Sequence, residues 1–206
     1  DLIEENGRIA GVRATTPHGP LTVRSALVVG ADGRGSVVRD RAGLEVEDLG
    51  APIDVLWMRL SRRPSDGAEP LGRIGAGKML VMIDRGDYWQ CAYVIAKGAA
   101  EAIRAQGIEA FRSSIVNIAP AMHDRVQELR SFDDVKLLTV KVDRLPQWHR
   151  PGLLCIGDAA HAMSPIGGVG VNLAIQDAVA AANRLAAPLR AGAVSDDDLA
   201  AVQRRR

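Results

Sequence analysis

Two short segments of the chain carry the residue types best suited to binding a cofactor. The first is Gly30-Ala31-Asp32-Gly33 and the second is Gly157-Asp158-Ala159-Ala160-His161, and each follows an apolar run. In open α/β sheets, ligands bind outside the carboxyl ends of the strands, so a carboxylate at that position meets a cofactor. We therefore expect Asp158 to accept a hydrogen bond from a ribose hydroxyl, and Asp32 to face the cofactor in the same way.

Both segments run on into a helical pattern. Ser36 and Arg39 follow the first aspartate and, at a spacing of three residues, could share one helix face. The second segment continues through the glycine-rich run 165–172 (PIGGVGVN) into an alanine-rich stretch. Glycines allow backbone N–H groups to approach a ligand closely, and a helix N-terminus carries partial positive charge. This pattern predicts an anionic or electron-accepting group beside the start of the second helix.

A purely structural interpretation of the same residues stays open. Asp32 and Asp158 could each be an ordinary helix cap or turn residue, and Ser36 with Arg39 could serve only the fold. His161 could pack or cap instead of taking part in catalysis. No protein acid, base or nucleophile is assigned, so the sequence predicts no catalytic residue.

Continuously apolar runs must position both segments. Residues 26–30 (ALVVG) and 153–156 (LLCI) predict strands covered on both faces, as in the parallel sheet of a doubly wound α/β fold. Near the start, alternating residues 8–13, turn residues 16–20 and apolar residues 21–23 predict a hairpin. A short helix is predicted over 36–42.

A long helix is predicted after residue 170, because apolar residues recur at three- and four-residue spacing. The stripe consists of Val171, Ala174, Ile175, Ala178, Val179, Ala182, Leu185, Ala186 and Leu189. Its many alanines predict that this face packs closely on a sheet. The charged stretch 196–206 predicts a final helix.

The middle of the chain, residues 51–145, has a different pattern and predicts an inserted domain between two flanking parts, 1–50 and 146–206. Alternating polar and apolar residues predict an antiparallel sheet from the segments 53–60, 79–83, 88–95 and 129–142. The residues at 84–87 predict a turn and the Pro/Gly-rich stretch 64–77 predicts a loop. Helices are predicted over 99–106 and 108–118.

Two features of this middle domain have competing interpretations. Residues 72–79 (GRIGAGKM) fit the spacing of a phosphate-binding loop up to Lys78, but Met79 stands where a hydroxyl should bind magnesium. We therefore predict a hairpin here, and a nucleotide hydrolase stays a third option that rests only on this imperfect loop. Large side chains of the sheet could line a substrate cavity or simply pack in the core: Trp57, Met82, Tyr88, Trp89 and Tyr93.

The bulk composition excludes several classes of partner. The 206 residues include 26 Lys and Arg against 25 Asp and Glu, so a net charge of +1 gives no basic surface for nucleic acid or anionic membranes. No apolar run approaches the roughly 20 residues needed to span a bilayer. Cys91 and Cys155 lie in apolar runs, which predicts buried reduced thiols and a cytoplasmic location. The remaining histidines lack the spacing of metal ligands, so no metal site is predicted: His18, His123 and His149.

The ordered pattern of both segments resembles the class A FAD-dependent monooxygenases, the aromatic-ring hydroxylases of the para-hydroxybenzoate hydroxylase type. The resemblance covers nearly the whole chain: Asp-Gly-x-x-Ser-x-x-Arg from Asp32, an inserted sheet domain, then Gly-Asp-Ala-Ala-His from Gly157 with a proline and a glycine-rich helix start. It implies an α/β fold with a partial, Rossmann-like FAD-binding domain at 1–50 and 146–206 and a substrate domain at 51–145.

The resemblance also implies a cofactor and a set of site residues. Asp32, Gly33, Ser36 and Arg39 would serve FAD and the NAD(P)H pyrophosphate. Asp158 would hold the FAD ribitol or ribose, Gly157 and Ala159 would pack close to the diphosphate, and His161 would be a further cofactor-binding residue. The flavin ring would be lined by Pro165, Gly167, Gly168, Gly170, Val171 and Asn172. The implied reaction is hydroxylation of a small aromatic or phenolic substrate by oxygen, through a flavin hydroperoxide formed after NAD(P)H reduces FAD.

The chain departs from the family pattern at its start. The Gly-x-Gly-x-x-Gly turn that grips the FAD diphosphate is absent before Gly30, so we expect a piece that begins after the first nucleotide-binding strand and binds FAD weakly alone. A flavin reductase or dehydrogenase would keep the same motifs, and a non-catalytic remnant of the fold is the alternative from another class. A halogenase is disfavoured because Trp-x-Trp-x-Ile-Pro is absent.

Overall fold

The computed structural model describes residues 1–67, 71–75 and 77–206, which fold into two compact units. Unit 1 combines Asp1–Gly50 with Lys141–Arg206, and unit 2 is Ala51–Val140. The sequence pattern placed the end of the inserted domain at residue 145, whereas unit 2 ends at Val140. The reason is that Asp143 and Arg144 form a strand that pairs with Glu47–Asp48 and with His161–Ala162, all within unit 1.

The described strands have between two and nine residues. They are Leu2–Glu5 (β1), Arg8–Thr16 (β2), Gly19–Arg24 (β3), Val28–Gly30 (β4), Glu47–Asp48 (β5), Ile53–Ser61 (β6), Leu71–Gly75 (β7), Lys78–Asp84 (β8), Tyr88–Ala96 (β9), Lys136–Leu138 (β10), Asp143–Arg144 (β11), His149–Arg150 (β12), Leu153–Cys155 (β13) and His161–Ala162 (β14). The α-helices are Val37–Arg41 (α1), Ala100–Ala105 (α2), Ile108–Ile118 (α3), Gly170–Arg190 (α4) and Asp196–Arg205 (α5). Short 3-10 helices are Pro120–Met122, Val126–Glu128, Phe132–Asp134 and Gly157–Ala159.

In unit 1 the two apolar runs form neighbouring parallel strands, as predicted. β4 pairs with β13 in the register Val28 to Leu153 and Gly30 to Cys155. Gly30 is required by packing, since a Cβ there would come within 2.9 Å of Val38 Cγ1 from α1. The parallel pairing sets the residues that follow the two strands side by side at one edge of the sheet.

The predicted burial of these strands holds for one and fails for the other. Leu153, Leu154 and Cys155 of β13 are fully buried, whereas Val29 of β4 is 45% exposed. The expectation that both strands are covered on both faces was therefore wrong for β4. Val29 belongs to none of the described core clusters, so its face of β4 is not covered by the described core.

Unit 2 is an antiparallel sheet in the order β10-β6-β9-β8-β7, packed on α2 and α3. Period-2 alternation in β6, β8 and β9 sends one set of side chains to the helices. The core on this face includes Leu56, Leu80, Trp89, Phe111 and Ile115. The sheet, the turn after Asp84 and both helices confirm the sequence prediction for this part of the chain.

Two predictions within unit 2 need correction. The predicted loop 64–77 contains β7 at Leu71–Gly75, which pairs with β8 and confirms the predicted hairpin, while 68–70 and 76 lie outside the described residues. The predicted strand 129–142 is extended only over β10, at Lys136–Leu138. Ser131 instead caps the 3-10 helix Phe132–Asp134 in a capping box, which stops strand pairing there.

The long helix α4 forms as predicted, but of its predicted apolar stripe only Leu185 is buried. Its buried residues are Asp177, Ala181 and Leu185, whereas Val171, Ile175 and Val179 are more than half exposed. The predicted apolar stripe is therefore largely a surface stripe, because the helix turns a face of small residues and one carboxylate inward. Across the described residues, none of the helices is both long enough and apolar enough to span a membrane.

Candidate functional site

The two motif segments meet in one pocket of unit 1. Ala31 and Gly33 follow β4, Gly157 and Asp158 follow β13, and the parallel pairing of these strands brings the two turns together. The pocket has a volume of about 520 Å³, within the usual range for small-molecule sites. Its third wall is the first two turns of α4, which contribute Gly170, Val171, Ala174, Ile175 and Ala178.

Asp158 is the polar group of this pocket. It is half-buried and lines the pocket from the middle of the 3-10 turn after β13. Within the part of the chain that the structure describes, its carboxylate accepts no hydrogen bond and forms no ion pair. A partly buried carboxylate with free acceptor positions is suited to a ligand hydroxyl, as the sequence predicted for this residue.

Gly157 lets this turn lie directly on α4. Its φ is +58°, in the left-handed region that side chains disfavour, and a Cβ would lie 3.0 Å from Ala174 Cβ. The pairing of Gly157 with the small Ala174 therefore sets how closely the turn approaches the helix.

Asp177 fixes the turn in place and was not identified from the sequence. It is fully buried, and its Oδ2 accepts the backbone N–H of Gly157 at 2.9 Å and lies 2.6 Å from His161 Nε2. Its Oδ1 accepts Arg206 Nε at 2.7 Å. A buried carboxylate needs such donors to offset its desolvation. The one sequence signal was a charged residue within the apolar pattern of α4.

His161 faces inward toward this carboxylate. The imidazole also lies against Trp148, with 4.9 Å between ring centroids, and its side chain is 22% exposed. These contacts favour the packing interpretation of His161.

Asp32 and Ser36 organise the start of α1. Ser36 is buried, donates its hydroxyl to Asp32 Oδ1 at 2.5 Å and accepts the N–H of Arg39. Asp32 also accepts the N–H of Val38 at 3.1 Å. Burial raises the pKa of Asp32, but the hydrogen bonds from Ser36 and Val38 outweigh it and hold this pKa below its usual value. Asp32 is therefore an anion that caps a helix.

Arg39 is held in a buried ion pair with a residue that the sequence did not single out. Its two terminal nitrogens each lie 3.3 Å from an oxygen of Asp143, and both side chains are about 5% exposed. Arg39 also donates to the carbonyl oxygens of Arg34 and Ala159. The guanidinium thus links α1, β11 and the turn after β13 within unit 1.

The glycine-rich run leads into α4 without a side-chain cap. Val169 occupies the N-cap position, and no side chain accepts a hydrogen bond from the first-turn N–H groups. At Gly33, Gly167 and Gly168 a Cβ would meet no atom of the described residues within 4 Å. The first turn of α4 therefore offers open amides beside the pocket.

The structure brings together only part of the predicted set. The residues that line the pocket are Gly33, Gly157, Asp158, Gly170 and Val171. The others lie beside it in capping, packing or loop positions: Asp32, Ser36, Arg39, Ala159, His161, Pro165, Gly167, Gly168 and Asn172. Among the residues that sequence reasoning missed, Ala174, Ile175 and Ala178 line the pocket directly.

Comparison with known proteins gives one family. A family model for the FAD binding domain matches residues 3–206. The 6-methylpretetramide 4-monooxygenase of Streptomyces rimosus is 39% identical over 207 residues, covering 100% of this chain and 49% of that protein. The ubiquinone hydroxylase UbiL of Rhodospirillum rubrum is 30% identical over 183 residues, covering 88% of this chain and 42% of that protein.

A solved structure agrees with these sequence matches. PqsL of Pseudomonas aeruginosa, crystallised in complex with 2-aminobenzoylacetate, superposes with a TM-score of 0.80 at 25% identity. The superposition covers 100% of this chain and 57% of PqsL. The chain thus spans about half the length of the curated relatives it matches.

Proposed function

The chain belongs to the FAD binding domain family of the class A flavin monooxygenases, and from that membership we propose that it forms the flavin-holding part of an NAD(P)H-dependent aromatic monooxygenase. The observation that carries this proposal is Asp158, a half-buried carboxylate without a partner among the described residues, set between two strand-end turns and the uncapped start of α4. These are the elements that a dinucleotide with hydroxyl groups and an electron-accepting ring requires.

The residues of the pocket fit FAD. Asp158 has free acceptor positions for a ribityl or ribose hydroxyl, and Gly157 keeps the backbone close to α4. Open amides of Gly170, Val171 and Asn172 can donate to an electron-rich ring edge. The apolar wall made by Val171, Ala174 and Ile175 suits a flat ring system.

A bound FAD would supply the redox chemistry: with two electrons from NAD(P)H, one atom of O2 would go to an electron-rich aromatic substrate and the other to water. The role of the protein would be to hold and orient the cofactor. Asp177 anchors Gly157 and His161, and the Arg39–Asp143 pair anchors the carbonyl of Ala159 on the other side of the turn. Asp177 and the Arg39–Asp143 pair would thus fix the backbone on both sides of Asp158, so that its carboxylate faces the pocket.

The other proposed cofactor residues act through their neighbours. Asp32, Ser36 and Arg39 would place Gly33 and the start of α1 beside the cofactor and NAD(P)H, because Asp32 and Ser36 cap this helix and Arg39 is paired with Asp143. Pro165, Gly167 and Gly168 would shape the loop that precedes α4.

Unit 2 is the proposed substrate domain. Its sheet face away from α2 and α3 carries the half-buried Trp57 and Tyr88, whereas Trp89, Tyr93 and Met82 pack in the helix-side core. A small aromatic substrate is proposed by analogy with 6-methylpretetramide 4-monooxygenase and with PqsL bound to 2-aminobenzoylacetate. A cytoplasmic location is proposed from the free thiols Cys91 and Cys155, whose pKa burial raises to about 12.

A titration of the purified chain with FAD tests the proposal. We expect flavin fluorescence to be quenched on binding, and Asp158→Ala to weaken FAD binding about tenfold or more, since a charge-assisted hydrogen bond is lost. Asp197→Ala, an exposed acidic residue of α5, is the matched control and should bind FAD as the unchanged chain does.

The activity part of the proposal is tested on a chain extended toward the length of its relatives. That protein should retain yellow flavin and oxidise NAD(P)H faster when phenols are added. If it stays colourless and takes up no added FAD, the non-catalytic alternative replaces the enzyme. If it binds FAD and reacts with NAD(P)H but never consumes oxygen, a reductase replaces the monooxygenase.

A further inference from the structure

A second pocket lies within unit 2, between the end of β9 and the helices α2 and α3. Its volume is about 500 Å³, enough for a bicyclic organic molecule. The walls are mostly apolar and include Ile95, Ala99, Ile103, Ala110 and Phe111. Such walls favour an apolar ring system as the body of a ligand.

One end of this pocket is polar. The hydroxyls of Tyr93 and Ser114 form a short hydrogen bond, and Lys78 Nζ donates to Ser114 Oγ at 3.2 Å. Tyr93 is held by edge-to-face packing on Phe111, with ring centroids 5.3 Å apart. Two hydroxyls and an ammonium group therefore converge at one place on an apolar pocket.

The charge at this pocket is positive and comes from Lys78. Lys78 forms no ion pair with any carboxylate of the described residues, and the lining residues include no Asp or Glu. The contact to Ser114 uses one of the three N–H donors of Lys78, which leaves two for a ligand. A single ammonium beside two hydroxyls complements an anionic head group such as a carboxylate.

We propose that this pocket is a second small-molecule site, which binds an organic anion with an aromatic or alicyclic body. The anionic group would accept hydrogen bonds from Lys78 Nζ and Ser114 Oγ, and the ring would lie against Ile103, Ala110 and Phe111. The site consists of unit 2 residues alone, so it stands whether or not the chain is a monooxygenase.

The probe for a first test is 1-naphthoate, with the neutral 1-naphthylmethanol as its comparison. Titration of the purified chain by calorimetry and by amide ¹H–¹⁵N spectra should show naphthoate binding, with shifts centred on Ser113, Ser114 and Asn117. The alcohol should bind at least tenfold more weakly, because it lacks the charge that Lys78 recognises.

Three substitutions locate the probe. Lys78→Met should weaken naphthoate binding about tenfold, and Ser114→Ala should weaken it less, while Lys136→Met on β10 should leave it unchanged. Ala110→Phe should abolish binding by filling the pocket, and its exposed position on α3 predicts an unchanged unfolding temperature. The proposal is overturned if naphthoate does not bind, if it binds the Lys78→Met and Ala110→Phe variants equally well, or if its amide shifts centre on α4.

Discussion

At the scale of single residues, the flavin-type pocket depends on a carboxylate that no ligand would touch. Asp177 is fully buried and holds the N–H of Gly157, the ring of His161 and the guanidinium of Arg206 at once. Asp158 is next to Gly157 in the chain, so its direction depends on this anchor. Asp177 therefore positions the turn, whereas Asp158 faces the ligand.

Replacing Asp177 by Ala should free the turn and destabilise the chain. Buried donors would lose their acceptor, and we expect a loss of about 3 kcal/mol in the free energy of unfolding. Chemical denaturation measures this loss, and amide hydrogen exchange at Gly157 should accelerate with it. Asp196→Ala on α5 is the control, and slow exchange at Gly157 in the Asp177 variant would contradict the assigned role.

Gly157→Ala tests how closely the turn packs on α4. The left-handed φ of +58° and the 3.0 Å approach to Ala174 Cβ should together cost about 1–3 kcal/mol. Combining it with Ala174→Gly relieves the contact but not the backbone strain. Thermodynamic additivity of the two changes, measured in a double-mutant cycle, would show that no such contact exists.

The sequence indicated the turn at Gly157 and Asp158 but not the residues that support it. The turn at Gly157 and Asp158 followed from a strand ending in a glycine and a carboxylate, which is a local pattern. The Arg39–Asp143 pair joins residues 104 positions apart, and no local periodicity marks it. A buried ion pair is selected by tertiary contact, so it is invisible until the two segments are placed together.

At the scale of elements, α4 shows that the apolar pattern of a helix need not coincide with the face that it buries. The helix was predicted correctly, but Val171, Ile175 and Val179 of its predicted stripe face outward. Leu185 of the same stripe packs inward beside Ala181. Small residues permit close approach of a helix, so hydrophobicity alone did not indicate the packed face. The strand predicted over 129–142 failed for a similar reason, because the Ser131 capping box outweighed apolar alternation.

A matched pair of substitutions on α4 tests its orientation. Leu185 is 2% exposed and Ile175 is 59% exposed. We expect Leu185→Ala to lower the free energy of unfolding by about 2–4 kcal/mol and Ile175→Ala to change it by less than about 0.5 kcal/mol. Urea denaturation of both variants makes the comparison, and equal losses would mean that Ile175 packs in the core as Leu185 does.

Asp66 makes the stability of unit 2 sensitive to acid. Burial alone raises the pKa of Asp66, but donors from Arg125, Arg63 and Trp89 lower it to about 2. Because the folded pKa lies below the unfolded value of about 3.9, this stabilisation is complete above pH 4 and is lost as pH falls toward 2. Asp66→Asn should flatten that pH dependence in denaturant titrations, whereas Asp87→Asn in an exposed turn should not.

At the scale of the whole molecule, unit 2 has the properties of an independent folding unit. Its core cluster lies entirely between Leu56 and Val135. Asp54 also joins the two ends of the unit, since it accepts hydrogen bonds from Lys97, from the N–H of Gly98 and from the N–H of Val140. The insertion is thus closed at its base by its own residues.

Residues 51–140 produced alone should fold cooperatively. We expect a single urea transition, and Leu80→Ala, at a fully buried position, should lower its free energy by about 3 kcal/mol. Lys136→Met, at an exposed position, is the control. A gradual transition without a midpoint would show that unit 2 depends on the rest of the chain.

The division of unit 1 into two stretches of sequence has a consequence for synthesis on the ribosome. The parallel pair of β4 and β13 cannot form until Leu153, the partner of Val28, has been synthesised. All of unit 2 leaves the ribosome between these two residues. Since domains fold as they leave the ribosome, unit 2 should be complete while the apolar strand β4 is still unpaired. During that interval the nascent chain exposes an apolar strand with unpaired backbone groups, which can pair with other chains. A chaperone that shields residues 26–30 should therefore raise the yield of native protein.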